Sequence, residues 1–65
     1  MTTLDAQLAE VRREIALRKN VYPKWVASGR LKAAAASRQI ETMEAVQETL
    51  EQYQREQEEL FGPGA

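Results

Sequence analysis

The chain has 65 residues, 29% of them charged, a formal net charge of −1, and neither cysteine nor histidine. That inventory excludes disulfide staples, zinc sites built on thiolate or imidazole, and catalysis by either side chain. The length permits one domain, and one so small buries too little surface to be a comfortable monomer without a staple or a partner.

A first helix is predicted over about residues 3–21. Thr2 or Thr3 supplies a capping hydroxyl, and Asp5 places an anion in the first turn, where the helix dipole favours it. Leu4, Leu8, Val11, Ile15 and Tyr22 then follow at helical spacing, with Arg18 at the intermediate seam position. The Arg18 stem is expected to cover the seam while its guanidinium reaches water or an acid on the facing helix. Pro23 lacks an amide donor and disfavours helical geometry at Tyr22, so the first helix is predicted to stop there. A short corner turn follows over 23–28, with Trp25 and Val26 tucked inside it and Gly29 in the left-handed conformation after it.

The second helix is predicted over about 31–60. Its seam reads Met43, Val46, Leu50, Tyr53 and Leu60, with Gln57 at the missing step and Ile40 widening the stripe. It would overhang a first helix little more than half its length. Gly62, Pro63 and Gly64 predict a frayed tail over 61–65. The fold class is therefore all-α: a two-helix antiparallel hairpin with a Pro/Trp/Gly corner. Of 28 hydrophobic residues, ten are small alanines. Two helices shield each other along one stripe only, so a homodimer in a four-helix arrangement is expected to cover the rest, with Leu8, Val11, Ile15, Ile40, Met43, Val46 and Leu50 as its core and dimer residues. No apolar run approaches the roughly 20 residues of a membrane span, and the first residues lack a signal-peptide pattern; a cytoplasmic protein without membrane insertion is expected.

Charge is segregated along the chain. Residues 12–38 carry eight cations against Glu14 alone, whereas residues 41–59 carry seven glutamates against Arg55 alone. No phosphate loop or nucleophile elbow occurs, and a hairpin offers no cavity in which a carboxylate could be desolvated, so no enzyme, catalytic residue, metal or cofactor is expected. Glu41, Glu44, Glu48 and Glu51 advance by three, four and three, which places them on one helix face roughly opposite the seam. Such a row is ordinarily a solvated face; its functional reading is an anionic surface for a basic protein. Tyr53, Tyr22 and Trp25 are hot-spot residue types, although corner aromatics usually serve packing. Arg30 completes the candidate contacts, as one of the cations around the closed end.

The run Val21-Tyr22-Pro23-Lys24-Trp25-Val26-Ala27-Ser28-Gly29-Arg30-Leu31, followed by Ile40-Glu41-Thr42-Met43-Glu44-Ala45-Val46, resembles a family of short proteins encoded by Mu-like transposable phages. The likeness covers most of residues 8–55. It rests on a basic helix, a Tyr-Pro-x-Trp-Val corner, Gly-Arg, and an Ile-x-x-Met-Glu stretch in the second helix. Lys32 and Ala33 depart from it, standing where relatives would place a capping hydroxyl and a polar residue. The resemblance implies a small dimeric inhibitor that occupies the DNA-binding domain of a LasR-like quorum-sensing transcription regulator of the host. It also implies action on the type IV pilus assembly ATPase PilB. It transfers no partner-binding residue. Two other readings stand beside it: a nucleic-acid accessory protein that grips phosphate through the basic closed end, and a structural phage module without a host target.

Overall fold

The computed structural model describes residues 2–61; the tail expected over 61–65 lies, beyond the Phe61 backbone, outside the described residues. Two helices, α1 (Leu4–Ala27) and α2 (Ala33–Phe61), pack against each other as a hairpin with extents of 53 × 19 × 17 Å. Thr3 is the cap of α1: its Oγ1 accepts from the Ala6 amide at 3.1 Å. No helix of the described residues is long and apolar enough to cross a membrane.

The first helix does not stop at Pro23. It continues through the proline to Ala27, so the reversal occupies residues 28–32 instead of a separate turn at 23–28. An interior proline removes one helical hydrogen bond and costs about 3 kcal/mol or more. The offsetting interactions all require helical spacing across it. Tyr22 is buried and stacks on Trp25 with ring centroids 5.6 Å apart, and Val26, one step further, is half-buried. A helix ending before the proline would remove Trp25 and Val26 from the face that Tyr22 shares with them. This is tertiary packing overriding a local preference.

The reversal itself depends on Gly29. Its φ of +79° lies in the left-handed region, and two hydrogen bonds close around it: the Gly29 amide donates to Val26 O at 3.1 Å and the Arg30 amide to Trp25 O at 2.8 Å. That pair is the Schellman arrangement, which satisfies helix-end carbonyls and turns the chain back on itself.

The seam is narrow. On α1, Leu8, Ile15 and Tyr22 are buried at seven-residue spacing; on α2, among the described residues, only Ala36 is. Val11 is half-buried on α1 and lines a depression with Leu50, and Ile40, Met43, Gln47, Leu50 and Gln54, all half-buried, form the inward line of α2. The predicted seam of α2 was displaced by part of a turn: Val46 (39% exposed), Tyr53 (52%) and Leu60 (72%) lie beside the true seam, and glutamines take two of the inward positions. The overhang is also shorter than expected, because α1 is longer and α2 starts later. Gln54 already meets Asp5 at the open end, Nε2 to Oδ1 at 2.7 Å, which leaves about two turns of α2 beyond it.

A Cβ at residue 29 would meet nothing within 4 Å, so the cost of Gly29→Ala is conformational alone. Urea unfolding should show a loss of about 1–2 kcal/mol for Gly29→Ala and a smaller one for Gly29→Asn, since asparagine tolerates the left-handed region. Equal effects would mean that the reversal does not depend on this backbone conformation.

Candidate protein-binding surfaces

A two-helix hairpin has two broad sides and two outer ridges, and here they differ chemically. One broad side is closed by polar links between the helices. Arg12 bridges to Glu51 at 3.0 Å, Lys19 to Glu44 at 3.3 Å, and Gln54 to Asp5. Gln47 Nε2 also donates to Glu51 Oε2 at 3.3 Å. Toward the closed end this side becomes a groove of small side chains, with Ala27, Ala33 and Ala36 beside Pro23 and Ile40.

These links divide the acidic row. Glu44 and Glu51 flank the seam and are paired across it; they do not stand opposite it. Glu41 and Glu48 are exposed and have no ion-pair partner among the described residues. The three-four spacing could not reveal the split, because all four positions lie within one broad helical arc and only the docking of α1 decides which edge is covered. At 100° per residue, Glu41, Glu48 and Glu59 share the outer ridge of α2 with Gln52, and Glu56 borders it. Tyr53 lies next to Glu48 in a shallow depression whose rim includes Glu56.

The other broad side carries no charged link between side chains of the two helices among the described residues. Its polar contacts come from Arg18 and Tyr22. Arg18 Nε bridges to Glu14 on its own helix at 2.9 Å, its Nη1 donates to Gln39 O at 3.3 Å, and its guanidinium carbon lies 5.9 Å from the centroid of the Tyr22 ring. Arg18 thus covers the seam as expected, but its acid is Glu14 and not one on the facing helix. Beyond them this side is mainly apolar along the seam: Val11, Val46 and Leu50 line one shallow depression, with Gln7 and Glu10 at its α1 rim, and Leu17, Val21 and Trp25 line another beside Glu14 and Arg18.

The aromatic candidates separate accordingly. Tyr22 is a core residue and not a contact residue; its hydroxyl donates to Gln39 Oε1 at 3.0 Å. Trp25 is not tucked inside the corner: it covers Tyr22 with one face and is 40% exposed. Arg30 is exposed at the reversal, as are Lys24, Lys32 and Arg38, and none of the four forms an ion pair among the described residues. Sequence reading did not single out Leu17, which is 53% exposed; its spacing of four from Val21 and of eight from Trp25 was the available signal.

No protein-family model, characterised protein or solved structure matches the chain.

Hydrogen bonds from Arg12 and then Gln47 lower the Glu51 carboxyl below its usual 4.5. A depressed carboxylate stabilises the fold above the unfolded-state value, and that contribution is lost as pH falls through the folded one. Between about pH 7 and about pH 3 the urea midpoint should therefore fall less for Glu51→Gln than for the parent chain. Parallel pH profiles for the two would remove Glu51 from the acid response.

Proposed function

We propose that the chain is a phage-encoded anti-activator: a cytoplasmic, non-enzymatic homodimer that inhibits host proteins by occupying their surfaces. Its first target is the DNA-binding domain of a LasR-like quorum-sensing regulator, and its second is the type IV pilus assembly ATPase PilB. The corner and second-helix motifs carry the resemblance behind this reading. The observation that best supports it is the pair of carboxylates, Glu41 and Glu48, without ion-pair partners among the described residues on an outer ridge, with the half-exposed Tyr53 sharing a depression with Glu48.

A DNA-binding domain presents cations arranged for phosphate, and a ridge of unpaired carboxylates is their electrostatic complement. Tyr53 supplies apolar area next to that charge, the combination that binding hot spots favour. Glu44 and Glu51, held by Lys19 and Arg12, belong to the hairpin and have less charge to offer a partner. Inhibition then follows from occlusion: a domain whose basic face is occupied by carboxylates is unavailable to a promoter, and no turnover is needed.

The test uses a purified regulator DNA-binding domain and a Glu41→Lys/Glu48→Lys chain. Binding should weaken by at least about tenfold, with helicity and native mass unchanged. Undiminished affinity would remove the ridge from recognition. If the parent chain instead bound random duplex DNA, with affinity falling steeply with salt, the unpaired closed-end cations would be the functional surface and the accessory-protein reading would replace this one.

A further inference from the structure

We infer that the apolar broad side is covered by a second copy of the chain lying antiparallel to the first, so that the cationic closed end of each copy rests on the acidic open end of the other. This deepens the homodimer in the proposed function, and it rests on that reading only for the existence of the pair.

The choice of side comes from its chemistry. The opposite broad side is closed by Arg12–Glu51, Lys19–Glu44 and Gln54–Asp5, whose polar groups would have to be desolvated under a partner. On the apolar side the charged contacts among the described residues are those of Arg18 alone, to Glu14 on its own helix and to Gln39 O across the seam, and Trp25, Val46 and Tyr53 are exposed along it or at its edges. They span most of the rod, with Trp25 near the closed end and Tyr53 near the open end. A second copy of the same shape covers that length; a small ligand does not.

The orientation comes from charge. No acidic residue occurs between Glu14 and Glu41, while Lys24, Arg30, Lys32 and Arg38 lie at the closed end without ion pairs among the described residues. Glu56, Glu58 and Glu59 stand at the other end, where α2 carries Arg55 as its one cation. A parallel pair would bring cations against cations and carboxylates against carboxylates, whereas an antiparallel pair opposes unlike charges at both ends.

The register follows from α2. Arg38 and Glu56 lie five turns apart on one line of the helix, about 27 Å, at the border between the outer ridge and the apolar side. An antiparallel two-fold centred near Gln47 sets Arg38 of each copy against Glu56 of the other. It places Val46 next to the axis, facing its own counterpart, as an isologous interface requires.

Sedimentation equilibrium of the purified chain and charge-reversed variants tests this without any host protein. Arg38→Glu and Glu56→Arg should each weaken the dimer roughly tenfold, and an equimolar mixture of the two should return to the parent affinity, because both ends of the mixed pair regain unlike charges. The chain has no cysteine, so Val46→Cys supplies a single thiol, which should give a disulfide-linked dimer on mild oxidation. Circular dichroism of each variant should match the parent, since both charged side chains are exposed. A mixture no tighter than its components, or a parent chain that stays monomeric at about 100 μM, overturns the inference. Successful rescue together with failure to bind the regulator domain would overturn the host-target reading and leave this one standing.

Discussion

Two helices share one seam, and that geometric limit governs everything else in this molecule. A residue is interior here only if it lies on the narrow strip where α1 faces α2, and among the described residues the strip holds few buried side chains: Leu8, Ile15, Tyr22 and Ala36. Gln47 and Gln54 take two of the inward positions on α2, which suits an edge where polar groups can reach partners without full desolvation. The apolar residues left over must therefore lie on a surface, and which surface they occupy is the informative part of the fold.

That surface is not chosen at random around the rods. Ion pairs and a glutamine–carboxylate bond tie the two helices on one side, and the large exposed apolar side chains gather on or beside the other. Arg12 and Lys19 reach across the seam on one side, and on the other Arg18 lays its stem along apolar surface while its guanidinium meets Glu14 and Gln39 O. Association on the linked side would cover two interhelical ion pairs, whereas the other side carries, among the described residues, only the charged contacts of Arg18 beside its apolar residues.

Much of this was legible in the sequence. The fold class, the Thr cap, the left-handed Gly29 and the inward line Leu8, Val11, Ile15, Tyr22 followed from spacing and from residue chemistry that acts locally. What was not legible depended on how the two helices dock. Pro23 reads as a stop because its local cost is large, and only the stacking of Trp25 on Tyr22 shows what offsets it. Of the apolar residues that mark the α2 seam in the sequence, Ile40, Met43 and Leu50 do face inward, whereas Val46, Tyr53 and Leu60 lie to one side and Gln47 and Gln54 take inward positions; a pattern that assumes inward means apolar shifts part of the line by a fraction of a turn. The acidic row failed in the same way. Glu44 and Glu51 differ from Glu41 and Glu48 only in which edge of the helix α1 approaches, and a single helix carries no record of that.

The two proposals meet on the outer ridge of α2. In an antiparallel pair related by an axis across the rods, α2 of one copy lies over α2 of the other, so both outer ridges point from the same edge of the dimer. Glu41 and Glu48 of each copy then form one strip of carboxylates with two-fold symmetry, about twice as wide as the ridge of a single hairpin. In a parallel pair α1 would lie over α2, and the two ridges would point from opposite edges. Orientation therefore decides whether a basic domain meets one thin line of charge or a broad field. The field is the better match for a surface that normally contacts the phosphates of a duplex, whose charges also lie in two rows rather than one.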